Sequence, residues 1–213
     1  MRRENYIYFV LILLALVIVT TSKVIFKDEN QINSSYPTPI SAYDDRSEPV
    51  EIVPQSEVPV GTKIDEYKGV AVTDYMSTHG LSFSDDGYYY GYKWQCVEYV
   101  KRFYYEKYDH MMSDGAGHAK YFFNPMLEQG QLNEQRGLFQ YHNGGDVQPQ
   151  VDDLLVFDDG AYGHVAIISE IGDGWLEVIQ QNSEVPRERY TLTEEDGEYN
   201  ITGEKKAAGW LRI

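Results

Sequence analysis

The sequence predicts an α+β domain, with N-terminal helices packed on an antiparallel β-sheet, preceded by one N-terminal transmembrane helix. Three observations predict it. An apolar run lies near the start, one amphipathic helical period lies ahead of the midpoint, and short turn-bounded apolar segments come after it with no helix between them.

Tyr6 to Phe26 contains a single charge, Lys23, and Phe9 to Val19 is unbroken apolar sequence preceded by Arg2 and Arg3. About 20 residues suffice to cross a hydrocarbon core as a helix, whereas the strictly apolar part has the length of a signal-peptide core. Both readings export the remainder of the chain. Thr20-Thr21-Ser22 is a poor cleavage signal and Val24, Ile25 and Phe26 continue the apolar character, so residues 1–26 are expected to remain as an anchor. Basic residues ahead of the span place the short N-terminus in the cytoplasm and the rest outside.

Residues 27–62 hold five prolines, many Ser, Asp and Glu residues and no helical period, which describes an extended polar linker. The globular domain is expected over 63–213. The chain carries a formal net charge of -16, and without residues 1–26 it has 15 basic against 33 acidic residues. Such a charge repels phosphate polyanions, so no nucleic acid is expected as a partner. It tolerates cationic ligands.

Within the domain, Cys96, Val100, Phe103 and Tyr104 recur on one helical face, with Lys101, Arg102, Glu106 and Lys107 largely off it. This predicts a helix over Gln95 to Tyr108, with Cys96 in its first turn. A second helix is expected around His118 to Leu127, and an irregular stretch from Glu128 to Pro149. Asp153 to Phe157, His164 to Ile171, Trp175 to Asn182 and Ala208 to Ile213 read as strands.

Cys96 is the only cysteine, so no intramolecular disulfide is available. Taken alone it also fits a small buried hydrophobe. At a helix N-terminus, however, unpaired N–H groups and the dipole lower a thiol's pKa. His164 opens an apolar strand and wants a polar partner. A turn centred on Asp173 sets it opposite Asn182, with Ala166 opposite Gln180, all on one face, while Gln181 points to the other. That register needs an odd loop. A two-residue Asp173-Gly174 turn would send Gln180 and Asn182 away from the imidazole.

These residues resemble a known family. Gln95-Cys96-Val97-Glu98 entering a helix, Asp153-Leu154-Leu155-Val156-Phe157, and Gly163-His164-Val165-Ala166-Ile167-Ile168 are similar, in order and spacing, to the CHAP amidohydrolase/peptidase domain. Gln180-Gln181-Asn182 stands where that family typically has an acidic residue, Gln and Asn, and Gly209-Trp210 resembles a closing strand of its glutathionylspermidine amidase branch. The resemblance implies a papain-like fold and cysteine-dependent hydrolysis of amide bonds, in peptidoglycan peptides or in glutathionylspermidine. It implies Cys96 as nucleophile, His164 as base and then acid, Gln180 as the group that orients the ring, Asn182 as an auxiliary, and Gln95 with the Cys96 N–H as oxyanion donors. Gln180 departs from the usual acid, and a neutral amide stabilises imidazolium less. Exported members can carry a calcium loop before the cysteine, but Asp85-Asp86-Gly87 reads as a turn and no Cys/His zinc spacing occurs. No metal and no cofactor are expected. The anchor and linker make peptidoglycan the expected substrate, with a glutathionylspermidine-type amide and a noncatalytic binding module as alternatives.

Overall fold

Leu154 to Phe157 are fully buried at all four positions, so both faces of this strand meet packed side chains and its pattern is continuous rather than alternating. The computed structural model describes residues 61–74, 80–113 and 117–213. The expected membrane segment and nearly all of the expected linker lie outside the described residues. Among the described residues no helix is long and apolar enough to cross a membrane.

Two hairpins precede the helix. β1 (Lys63–Tyr67) pairs with β2 (Val70–Thr73), and β3 (Leu81–Phe83) with β4 (Tyr89–Tyr92). The helix α1 spans Cys96–Tyr108 and ends at Asp109, whose left-handed backbone returns its N–H to the Tyr105 carbonyl. Next come β5 (Gln131–Asn133), β6 (Leu138–His142), β7 (Leu154–Phe157), β8 (His164–Gly172), β9 (Trp175–Ile179), β10 (Arg187–Glu195), β11 (Glu198–Thr202) and β12 (Ala207–Arg212). These eight strands form one antiparallel sheet in the order β11-β10-β9-β8-β7-β12-β6-β5.

Helix α1 lays Tyr99, Val100, Phe103 and Tyr104 on one sheet face against Leu154, Val156, Val165, Ile167 and Ile179. On the other face Leu155, Phe157, Ala166 and Val178 pack with Tyr190, Leu192, Ile201 and Trp210. That second layer exists because the sheet curls over itself. The Asn143 amide donates to the carbonyls of Ile201 and Ala207, and Gly145 bridges to Tyr199, tying edge strand β11 to the end of β6.

Among the described residues the domain is therefore mostly antiparallel sheet with one α-helix, consistent with a papain-like fold, and strands precede the helix as well as succeed it. The expected helix over His118 to Leu127 is instead a 3₁₀ turn, Ala119–Phe122. Pro125 disfavours helical geometry at Asn124, whose side chain caps a local turn by accepting from the Met126 N–H. The stretch expected to be irregular contains the β5–β6 hairpin. Its polar residues are paired internally: Gln140 accepts from Asn133 Nδ2 at 3.0 Å and from the Asn124 N–H at 2.9 Å, so a buried strand carries amides where apolar residues would have marked it.

Candidate active site

Gln95 is the N-cap of α1 and makes no side-chain cap, so the first-turn amides are left for another acceptor. That acceptor is the Cys96 sulfur, which faces the backbone amides of Val165, Val97 and Cys96 itself. Burial nevertheless outweighs those three donors and pushes the thiol up from its ordinary range. The expectation that the helix N-terminus would lower the Cys96 pKa is corrected for that reason.

Val165 succeeds His164 in the chain, so the sulfur and the imidazole flank the same peptide. His164 pairs with Phe157 across the sheet, on the face away from α1, and no hydrogen bond joins its ring to the sulfur among the described residues. Gly163 lets the chain reach this place. Its φ is +69°, and a Cβ there would lie 2.6 Å from the Phe157 carbonyl oxygen.

His164 Nε2 is 2.9 Å from Gln180 Oε1. The Asp173-Gly174 turn is two residues long, with Gly172 opposite Trp175, which is the parity that would separate them. A bulge between Ile168 and Glu170 adds one residue to β8 and restores the phase, so that Ile167 faces Ile179 and Gln180 comes next on the imidazole's side. The regular ladder stops at Ile179.

The orientation of the Gln180 amide is fixed by its other partners. Its nitrogen donates to the Val185 carbonyl at 3.1 Å and to Glu188 Oε2 at 2.9 Å, so its oxygen must face the ring. Nε2 of His164 therefore carries the proton and Nδ1 is left with a free lone pair. Burial, followed by the positive charge of Lys205, lowers the His164 pKa to about 4, so the ring is neutral at pH 7. The resting pair is a neutral thiol and a neutral imidazole able to accept a proton.

Asn182 engages Gln95. It has left-handed backbone, φ +58°, and its amide nitrogen donates to Gln95 Oε1 at 2.8 Å. With that oxygen engaged, the Gln95 amide nitrogen is the end left to serve an oxyanion. Gln181 points to the helix side, donating to Glu98 Oε2 at 2.7 Å and to the Gln95 carbonyl at 3.2 Å, while its oxygen accepts from the Thr73 N–H at 2.9 Å. Glu98 is fully buried and also binds Arg102 Nε at 2.8 Å and the Ser82 hydroxyl at 3.0 Å. Three adjacent residues after β9 thus hold three different things: the imidazole ring, the first turn of α1, and the Gln95 side chain.

Sequence reasoning missed Glu188 and Glu98, and only Glu98 had a signal, as the last residue of Gln95-Cys96-Val97-Glu98. Among the described residues no cluster of His, Cys, Asp or Glu side chains is arranged to hold a metal ion.

Residues 87–182 match the family model described as the CHAP domain. The chain is 25% identical over 173 residues to a trypanothione synthetase from Crithidia fasciculata, covering 78% of this chain and 26% of the relative. It is 31% identical over 129 residues to the bifunctional glutathionylspermidine synthetase/amidase of Escherichia coli (strain K12), covering 54% of this chain and 21% of the relative. The chain thus spans about a quarter of the first relative and about a fifth of the second. The motifs around Cys96 and His164 both lie within the stretch, residues 87–182, that matches the CHAP domain model.

Proposed function

We propose that the chain is an amidohydrolase in which Cys96 is the nucleophile and His164 its general base. The observation that carries this reading is the His164 to Gln180 contact at 2.9 Å, beside a thiol set at the start of α1. Gln180 holds the proton on Nε2, so Nδ1 takes the thiol proton as sulfur attacks the amide carbonyl. The carbonyl carbon gains the C–S bond, its oxygen takes the electron pair, and the Cys96 N–H and the Gln95 amide supply donors to that oxygen. Collapse breaks the C–N bond, and His164 returns the proton to the leaving amine. Water then cleaves the thioester, leaving a carboxylic acid and the free thiol.

With both groups neutral at rest, proton transfer is uphill until a substrate arrives. A bound carbonyl changes the balance, because developing charge on its oxygen is met by fixed donors. The match to a glutathionylspermidine synthetase/amidase favours an amide of the glutathionylspermidine kind as substrate, and the acidic chain suits its cationic amine product. A second reading, peptidoglycan peptides cleaved outside the cell by a domain anchored through residues 6–26, is favoured by the apolar run and the proline-rich segment after it.

The test is to incubate the full chain with glutathionylspermidine and, separately, with purified sacculi, and to quantify released amines. Amine release abolished by Cys96→Ala supports hydrolysis, and the substrate that responds selects between the two readings. Release that survives Cys96→Ala rejects Cys96 as the nucleophile, and no release from either substrate favours a binding module.

A further inference from the structure

His164 meets a neutral amide, but the amide does not end the network. Gln180 Nε2 is 2.9 Å from Glu188 Oε2, and the same carboxylate oxygen receives Lys205 Nζ at 2.7 Å. Imidazole, amide, carboxylate and ammonium form one chain from β8 through the end of β9 to β10 and the turn before β12. The Glu188 side chain is 14% exposed, so its charge is only partly screened.

We propose that Glu188 is a positioning residue for the His164 base: it fixes the Gln180 amide so that the ring keeps its proton on Nε2, and its charge supports the imidazolium formed during hydrolysis. This inference rests on the reading of Cys96 and His164 as a hydrolytic pair.

The site meets two requirements for this role. First, Gln180 can present its oxygen to His164 only if its nitrogen has acceptors, and Glu188 is the charged one of the two it has. Second, a carboxylate serves this role only while ionised. Burial pushes the Glu188 carboxyl up, but the hydrogen bonds from Lys205 and Gln180 draw it below the usual range, so it is anionic at neutral pH. The charged groups that act on the ring are Glu188 on β10 and Lys205 before β12, and from α1 the Cys96 thiol faces the backbone of the next residue, Val165. β7 contributes only the Phe157 ring, and the Tyr190 hydroxyl stands beside Glu188. Lys205 and Glu188 act on the imidazolium with opposite signs, so the ion pair sets how much negative charge the ring feels.

The experiment uses the full chain in four forms: wild type, Glu188→Gln, Lys205→Met and Cys96→Ala. Glu188→Gln keeps an acceptor for Gln180 and removes the charge. Nitrogen-15 imidazole NMR tracks the His164 titration, amine release from glutathionylspermidine or sacculi gives kcat and KM, and thermal unfolding reports folding. The expected result is that Glu188→Gln moves the His164 midpoint down and Lys205→Met moves it up. Glu188→Gln should also lower kcat about tenfold, with KM changed less than about twofold, as for other partners that orient a functional histidine. Unchanged titrations in two folded variants overturn the inference, even where Cys96→Ala is inactive. Activity that survives Cys96→Ala overturns the hydrolytic reading instead, and opposite shifts of the His164 midpoint would then leave only an electrostatic coupling.

Discussion

Replacing Glu98 by Ala tests whether the buried network beneath Cys96 holds the site together. Glu98 is wholly buried, with Arg102 Nε at 2.8 Å, Gln181 Nε2 at 2.7 Å and the Ser82 hydroxyl at 3.0 Å. Arg102 has a side chain only 13% exposed and, when Glu98 is gone, keeps the Ala71 carbonyl at 3.0 Å, the Tyr99 ring and the charge of Glu106, but no ion pair among the described residues. Removing one member of a buried ion pair leaves the other charge uncompensated, at a cost of about 3 to 5 kcal/mol. Gln181 loses its charged acceptor as well, and the bond left to its amide nitrogen, to the Gln95 carbonyl, is the longer one at 3.2 Å. Guanidinium chloride unfolding monitored by tryptophan fluorescence measures the loss. Combining Glu98→Ala with Arg102→Met removes the stranded charge, so the double variant should recover at least half of the lost stability. A single variant within about 1 kcal/mol of wild type, or a double variant no better than the single, would refute the account of this network.

The geometry sets three further outcomes. Asn182→Gly removes the amide that engages Gln95 Oε1 without straining a backbone at φ +58°, and should lower kcat about tenfold, less than the loss of the donor itself in Gln95→Ala. Gly163→Ala should destabilise by about 2 kcal/mol or more, read by the shift in unfolding midpoint, because its Cβ meets the Phe157 carbonyl and a left-handed backbone. His164 is depressed to about 4 in the folded chain against roughly 6.5 when unfolded, so its contribution to stability is complete above pH 6.5 and is lost as pH falls toward 4. The amount is about 3 kcal/mol, measurable as the difference in pH dependence between wild type and His164→Gln. Parallel stability curves for the two proteins across pH 4 to 7 would contradict it.

The helix at Cys96 and the strands from β7 to β9 and β12 were legible because their apolar patterns are long and bounded by turns. Strands β5 and β6 were not, because Asn133 and Gln140 satisfy one another inside the fold and break the apolar pattern. Strands β10 and β11 were not read as strands, because Arg187, Glu188, Arg189, Glu194, Glu195 and Glu198 interrupt any apolar pattern. The phase between His164 and Gln180 depends on the bulge at Ser169, and nothing local marks a bulge in an apolar strand. Glu188 was invisible for a simpler reason: a charged residue on an outer strand usually faces water, whereas this one shares the inner face of β10 with Tyr190 and Leu192, opposite Val178.

Because Cys96 is the only cysteine, alkylation of the full chain by iodoacetamide reports on that one sulfur, and its pH dependence in wild type and His164→Ala tests the central claim that the imidazole takes the thiol proton. The account predicts that at pH 7 the variant is labelled at least about tenfold more slowly than wild type, with the two rates converging at high pH where the thiol ionises unaided. Equal rates in the two folded proteins at pH 7 would contradict it.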